Sequence, residues 1–158
     1  MTNIHKLQLV QNFAARFILG LRKYDHISAG LRSLRWLNVK QRLMVNDAVM
    51  MHKCLNGLSP SYLSDKFSTR ATIHDRHTRY RDSLIIPSCR INAGQRAFYY
   101  RGIKVWNNLS KDLREITNTK VFKGQMNQNF YIRSLASLKQ LNTNTDHYKV
   151  YSSKNFAS

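Results

Sequence analysis

Histidine and cysteine side chains can bind a metal or act as nucleophiles, and two of the six histidines and both cysteines in this chain could be drawn together. His74 and His77 lie three positions apart in the stretch HDRH, whereas Cys54 and Cys89 are isolated in the sequence. The four could be drawn as one zinc site, but structural zinc sites bring their ligands in close pairs, and here only the histidines are paired. The spacing favours two loop histidines among arginines. We therefore expect no metal and no cofactor.

The carboxylates are too few and too scattered to predict a catalytic centre. The chain has eight Asp and Glu, and no two of them are adjacent. Asp75 and Asp82 are flanked by arginine or serine, so charge balance explains them. Cys54 lies beside an apolar stripe, which favours an inert buried thiol; Cys89 is next to Arg90, but no general base accompanies it. The six glycines are isolated, so no phosphate-binding glycine loop is predicted. We expect no catalytic residue and no enzymatic activity.

The charge balance is the strongest signal in the composition. There are 26 Lys and Arg against eight Asp and Glu, a formal net charge of +18. Such a surface attracts a polyanion, most commonly nucleic acid, with an anionic membrane surface as the alternative. A solvated face without any partner remains the simpler interpretation. We predict that the partner is the phosphate backbone of RNA, DNA or both, and we expect neither membrane association nor a small-molecule substrate.

Basic and aromatic residues alternate in HTRYRDS and RAFYYRGIKVW, as they do on surfaces that bind unpaired nucleic acid. Arginines would contact phosphates, and tyrosines such as Tyr80, Tyr99 or Tyr100 would stack on bases. For Phe98 and Trp106, packing in the core is the favoured interpretation. The candidate nucleic-acid-binding residues are Arg32, Arg35, Arg76, Arg79, Tyr80, Arg81, Arg96, Tyr99, Arg101 and Lys104.

Hydrophobic periodicity predicts a mainly α fold, a small helical bundle with a long basic loop. The predicted helices cover 3–20, 28–35, 39–56, 59–67 and 119–132. The expected N-terminal caps are Asn3, either Ser28 or Asp25, Ser59 (with Pro60 at the first helical position) and Thr119. Two helices are expected to end at Gly20 and Gly57. Met44, Ala48, Met51 and Leu55 form the predicted buried stripe of the longest helix.

The middle of the chain is less regular. Residues 68–83 are polar and aperiodic, which predicts a long loop, and β-branched residues around Pro87 predict a short extended segment over 84–91. Helical and extended interpretations both remain open for 94–109, because Gly102 interrupts the pattern. We expect one helical domain over 1–133, followed by a polar, frayed tail over 134–158.

Five motifs in a fixed order resemble a known family. They are LQLVQNFAARFILGLRKYDHI, LRSLRWLNVKQRL, HKCLNGLSPSYLSD, RAFYYRGIKVWNNLSKDLR and VFKGQMNQNFY. Their order resembles the C-terminal region, downstream of the polymerase domain, of non-LTR (LINE-type, jockey- or CR1-like) retrotransposon reverse transcriptases. The resemblance covers residues 7–133, most of the chain.

The resemblance implies a parent protein with an endonuclease and an RNA-directed DNA polymerase, which act together in target-primed reverse transcription. The polymerase motif Tyr-x-Asp-Asp is absent, since no Asp-Asp pair occurs, so no catalytic residue carries over. The implied function is a non-catalytic fragment that contacts nucleic acid and the upstream polymerase part. The alternatives are a helical module that only docks on the polymerase, and a decayed, non-functional fragment of the element.

Two positions depart from the family pattern. Proline usually follows the tryptophan-leucine pair and the WNxL motif, whereas this chain has Asn38 and Ser110 there. We expect both changes to loosen turns that proline would fix, which is compatible with a drifting copy of the element. The polar N-terminus carries no secretory signal, so we expect an intracellular protein, nuclear or cytoplasmic, whose parent element would act in the nucleus.

Overall fold

Helices provide nearly all the regular structure in residues 3–72 and 81–132, the part of the chain that this computed structural model describes. They are α1 (Asn3–Leu19), α2 (Ile27–Ser33), α3 (Val39–Leu55), α4 (Ser61–Ser64), α5 (Asn92–Arg96), α6 (Phe98–Asn107), α7 (Lys111–Arg114) and α8 (119–132), with a 3₁₀ turn at Arg70–Thr72. The predicted mainly α fold is confirmed. The predicted tail, 134–158, lies outside the described residues.

One hydrophobic core joins α3, α6, α7 and α8, together with Leu37 and Leu84 from the connecting segments. Its buried members are Leu37, Val45, Ala48, Met51, Leu84, Ile103, Trp106, Leu113, Phe122 and Met126. Trp106 is buried and Phe98 packs against this core, as the sequence predicted. Ala48 and Met51 of the predicted α3 stripe are buried, whereas Met44 is exposed and Leu55 is half-buried. The other buried residues of α3 are Val45, His52 and Cys54.

Gly102 allows α3 and α6 to approach closely. A Cβ atom on it would lie 2.8 Å from Sδ of the fully buried Met51, well inside van der Waals contact. Residues 94–109, for which two interpretations were open, are helical, and the break falls at Ala97, whose ψ of 146° separates α5 from α6. The glycine therefore sits within α6 and serves packing, and it does not interrupt the helix.

The predicted extended segment over 84–91 is reduced to a single antiparallel bridge between Leu84 and Thr69. Asn107 fixes Leu84 from the other side, donating from Nδ2 to its carbonyl and accepting at Oδ1 from its amide, both at 2.9 Å. Residues 85–90 are neither helix nor strand. Leu84 is thus held in the core by one side-chain amide, without a sheet.

Several helix starts differ by one or two residues from the predicted caps. His26 occupies the N-cap position of α2, while the Asp25 carboxylate accepts a hydrogen bond from the Arg22 amide instead. Pro60 is the N-cap residue of α4 rather than its first helical residue. At α8 the cap is Asn118, whose Oδ1 accepts from the amides of the second and third helical residues, at 2.9 and 3.3 Å. Gly20 and Gly57 end their helices as predicted, at φ of 61° and 68°.

Asn38 does not loosen the start of α3. Its Oδ1 accepts from the Gln41 amide at 2.8 Å, and the Gln41 side chain accepts from the Asn38 amide at 3.1 Å. This reciprocal pair is a capping box, and it satisfies two amides that would otherwise have no helical partner. The expectation of a loosened turn was therefore wrong at this position.

Helix α1 is attached to the rest of the protein through the side that carries two glutamines, Ala15 and Leu19. Gln11 donates to the Leu37 carbonyl at 2.8 Å, and Gln8 accepts from the Val39 amide at 2.9 Å. Ala15 is the buried residue of this helix. The opposite side is apolar and exposed; this α1 apolar face consists of Leu7, Val10, Phe13 and Phe17, with Phe17 82% exposed.

Candidate nucleic-acid interface

A cleft of about 470 Å³ lies between α3, α8 and the link that joins α2 to α3. We call it the α3–α8 cleft. Its lining residues are Arg35, Leu37, Arg42, Val45, Asn46, Lys123, Asn127, Gln128 and Tyr131. Leu37 and Val45 are buried and form an apolar floor, while the polar lining residues stand around it. The cleft therefore combines a hydrophobic base with cationic and amide walls.

The helical periodicity explains how the polar lining residues converge. On α3, Arg42 and Asn46 are four residues apart, and on α8 Lys123 and Asn127 have the same spacing. Residues four apart lie on one face of a helix. Helix α3 therefore presents one cation and one amide to the cleft, and α8 presents one cation and, with Gln128, two amides.

His52 anchors the beginning of α8 against α3. This fully buried histidine lies 2.7 Å through Nε2 from the Ile116 carbonyl and 3.3 Å through Nδ1 from the Thr119 hydroxyl. Because a carbonyl can only accept, Nε2 carries the proton and Nδ1 accepts from the hydroxyl. The imidazole also stacks on Phe122, with ring centroids 4.6 Å apart. Thr119, the predicted cap of α8, thus contacts a buried histidine instead.

Tyr131 fixes the opposite end of α8. Its hydroxyl donates a hydrogen bond to the Arg32 carbonyl at the end of α2. One wall of the cleft is therefore tied at its start to α3 and near residue 131 to α2. A wall held at two points keeps the cleft open at a defined width.

Arg35 adopts a left-handed backbone conformation at the rim of the cleft. Its φ is 53°, and among the described residues no other non-glycine residue has a positive φ. The Arg35 amide donates to the Arg32 carbonyl at 2.9 Å, and the Trp36 amide donates to the Leu31 carbonyl at 2.8 Å. These are the two hydrogen bonds of a Schellman motif. Glycine is the usual residue at this position. The predicted helix over 28–35 ends at Ser33, so Arg35 lies outside the helix that contains Arg32.

The α3–α8 cleft is electropositive. Arg35, Arg42 and Lys123 line it, and among the residues that the structure describes no carboxylate does. Within the same ranges none of these three cations forms a salt bridge. Like charges held close together repel one another, so an anion bound between them gains from all three.

The predicted basic residues of α5 and α6 do not line the α3–α8 cleft. Arg96 is exposed at the end of α5. Lys104 is exposed, with its ammonium 4.6 Å from the Tyr100 ring centroid, and Arg101 forms a salt bridge with Asp47 at 3.2 Å. Tyr99, a predicted base-stacking residue, is half-buried with its ring 5.5 Å from that of a core phenylalanine, Phe67.

Asp47 is an acidic neighbour of the basic residues Arg96, Arg101 and Lys104, which we call the α5–α6 surface. Burial raises the pKa of its carboxyl above the ordinary value, and the Arg101 guanidinium opposes that shift. The Asp47 carboxylate therefore neutralises part of the positive charge of Arg101. The pairing makes Arg101 a weaker candidate for a phosphate than the cations of the cleft.

The other candidates fall in or beside the predicted basic loop. Arg76, Arg79 and Tyr80, together with the hypothetical zinc ligands His74 and His77, lie outside the described residues. Arg81 is described, and its carbonyl accepts from the Ala71 amide at 3.0 Å. Cys54 is buried, as expected, and Cys89 is half-buried. The described residues contain no cluster of three His, Cys, Asp or Glu that could hold a metal ion.

Sequence reasoning missed most of the lining of the cleft. Arg42 and Lys123 were not among the candidates, nor were the amides Asn46, Asn127 and Gln128. The available signal was the four-residue spacing of a cation and an amide on each of two predicted helices. That signal identifies a polar helix face, but it does not show that the two faces meet.

The comparisons with known proteins return nothing: no protein-family model, no curated protein and no solved structure matches this chain. Among the described residues, no helix is both long and apolar enough to cross a membrane.

Proposed function

We propose that this chain is a non-catalytic helical domain that binds the phosphate backbone of RNA or DNA. In the parent protein implied by the resemblance, it would follow the polymerase domain of a LINE-type reverse transcriptase and help to hold nucleic acid during target-primed reverse transcription. The nucleus would then be its place of action. The observation that carries the proposal is the α3–α8 cleft, with three cations and no carboxylate among its described lining residues.

The charge of the whole chain supports the same function. At +18, the protein gathers a cloud of counter-anions, and a polyanion that replaces them releases its own condensed cations. Arg96 and Lys104 add exposed positive charge on a second surface. A long nucleic acid could therefore contact the cleft and the α5–α6 surface together.

A salt series on the intact chain tests the proposal. The affinity for a labelled single-stranded RNA or DNA is measured by fluorescence anisotropy from low to moderate salt. We expect a linear fall of log affinity with log salt, with a slope of about 0.7 for each phosphate contacted on a single strand. The double variant Arg42→Gln, Lys123→Gln should lower that slope by about 1.4.

The matched control is Lys66→Gln, Arg90→Gln, which removes the same charge from exposed positions outside the cleft. It should leave the slope nearly unchanged. Absence of binding by the wild-type chain at low salt contradicts the proposal. If both double variants lose the same amount of salt slope, the protein attracts nucleic acid through its net charge and not through a defined site.

A second candidate function rests on the α1 apolar face. Two phenylalanines of α1 lie in solvent, Phe13 72% exposed and Phe17 82% exposed, and an exposed apolar surface of this kind is typical of one that another protein covers. In the parent protein the polymerase part would be that partner. A titration of this chain into a LINE-type polymerase lacking its own C-terminal region tests the idea: Phe13→Ser, Phe17→Ser should abolish binding that the wild-type chain shows. If the wild-type chain does not bind, the docking function is wrong.

A further inference from the structure

We infer that the α3–α8 cleft binds a single unpaired nucleotide, with the phosphate among Arg35, Arg42 and Lys123 and the base against the amides of the cleft. This inference rests on the proposed function and makes it more specific, since backbone binding alone needs only positive charge. It assigns a role to the uncharged lining residues, which phosphate binding does not explain.

The size of the cleft exceeds what a phosphate group alone requires. Its volume of about 470 Å³ lies within the range of small-molecule sites, roughly 300–1,000 Å³. The floor of Leu37 and Val45 is apolar, so it offers no ligand to a phosphate. A nucleobase or a sugar, in contrast, has flat or apolar surface that gains from contact with such a floor.

The amides supply the groups that recognise a base edge. Asn46, Asn127 and Gln128 each carry one acceptor and two donors, and in the described part of the chain their side chains form no hydrogen bond with the protein. Asparagine and glutamine side chains form two simultaneous hydrogen bonds with adenine, through its N6 and N7 atoms. Three such amides beside three cations match a ligand with a polar planar part and an anionic part.

The geometry favours an unpaired residue over a duplex. The cleft lies between two helices, and its base-contacting groups stand above a recessed floor. In a duplex each base is held by pairing and stacking, and turning it out of the helix to enter a cleft costs free energy. An unpaired base can turn away from its strand and enter the cleft while its phosphate stays at the cationic rim.

The walls of the cleft are fixed before any ligand binds. His52 holds the start of α8, the Tyr131 hydroxyl ties α8 to α2, and the Schellman motif sets the position of Arg35. Arg35 occupies a backbone conformation that costs free energy for any residue with a side chain, and such strain is concentrated at binding sites. Fixed walls reduce the conformational entropy lost on binding.

The test uses the intact chain and a charge-neutral change on α8. The double variant Asn127→Ala, Gln128→Ala removes two amides at exposed helical positions and keeps the net charge, and Gln125→Ala is the control at an exposed position of α8 outside the cleft. The probes are a labelled ten-nucleotide single strand, as RNA and as DNA, and a duplex of the same sequence.

We expect the double variant to bind the single strand about 10-fold or more weakly, because each good base contact contributes a factor of this order. Its salt slope and its affinity for the duplex should stay at the wild-type values, as should all values for Gln125→Ala. The RNA and DNA arms show which sugar the cleft prefers.

Unchanged single-strand affinity in the double variant overturns the nucleotide inference and leaves backbone binding standing. An equal loss for single strand and duplex also overturns it, since a base-reading cleft must distinguish the two. If the wild-type chain binds neither probe at low salt, both proposals are wrong. A thermal melt of each variant by circular dichroism, with midpoints matching the wild type, excludes unfolding as the cause of lost affinity.

Discussion

Replacing Arg35 with glycine should make the protein more stable and a weaker binder of nucleic acid. The residue sits at φ 53° in the Schellman motif that ends α2, and its side chain lines the α3–α8 cleft. Glycine adopts this conformation without steric cost. The two hydrogen bonds of the motif are made by backbone atoms, so they survive the change. Stability and binding should therefore move in opposite directions at one position.

The magnitude follows from two opposing terms. A left-handed conformation costs a residue with a Cβ roughly 1–2 kcal/mol. Glycine in turn loses more backbone entropy on folding, roughly 0.5–1 kcal/mol. We expect Arg35→Gly to raise the free energy of unfolding by about 0.5–1 kcal/mol, the difference of these terms. Loss of one phosphate contact should lower the salt slope on a single strand by about 0.7.

Urea unfolding followed by tryptophan fluorescence measures the first effect, since Trp36 directly follows the substituted residue. Arg35→Ala is the matched control, because alanine removes the charge but keeps the Cβ. It should weaken binding as much as the glycine variant without raising stability. If Arg35→Gly lowers stability, or if the alanine variant is equally stabilised, the strain argument is refuted. If neither variant changes the salt slope, Arg35 does not contact phosphate.

Three further predictions concern residues outside the lining of the α3–α8 cleft. Gly102→Ala should lower stability by roughly 1 kcal/mol in urea, since overpacking outweighs the gain in helix propensity, whereas Gly124→Ala, with no atom near its Cβ, should raise stability by about as much. Asn38→Ala removes the capping box of α3 and should cost about 1 kcal/mol in the same assay; no change would mean that the cap is dispensable. The carboxyl of Asp47 should titrate above 3.8 by carbon NMR, and higher still in Arg101→Gln, because the pKa is raised by burial and lowered by that guanidinium. Because the pKa of Asp47 is higher in the folded state, this group stabilises the folded protein at pH values below its unfolded-state pKa. That stabilisation is lost as the pH rises through the folded-state pKa, so Asp47 favours folding under acid conditions. A titration midpoint at or below 3.8 would contradict this.

The helices were predictable from sequence because their signal is local and repeated. Phe122 and Met126 are four residues apart on α8, and both are buried as the periodicity requires. The caps were less predictable, since a hydrogen bond of a single side chain decides them: Asn118 and Thr119 are both good caps, and the folded chain uses the first.

The cleft itself could not be predicted, because its two walls come from distant parts of the chain. The positions of Arg42 and Lys123 are brought together by the buried contacts of His52 with the start of α8. Sequence reasoning looked instead for dense basic and aromatic motifs, such as the one that contains Arg101 and Lys104. Charge density along a sequence does not reveal which cations converge in space.

The α1 apolar face and the net charge of the chain have opposite effects on contact between copies of this protein. Copies carrying +18 repel one another over a Debye length of about 30 Å at 0.01 M salt and only about 10 Å at 0.1 M. Once that repulsion is screened, the exposed rings of Phe13 and Phe17 on neighbouring copies are free to meet. On the proposed function, we expect added salt to weaken nucleic-acid binding and at the same time to favour self-association. On the proposed function, a bound polyanion would neutralise the same positive charge and would therefore weaken the repulsion between copies in the same direction as salt does.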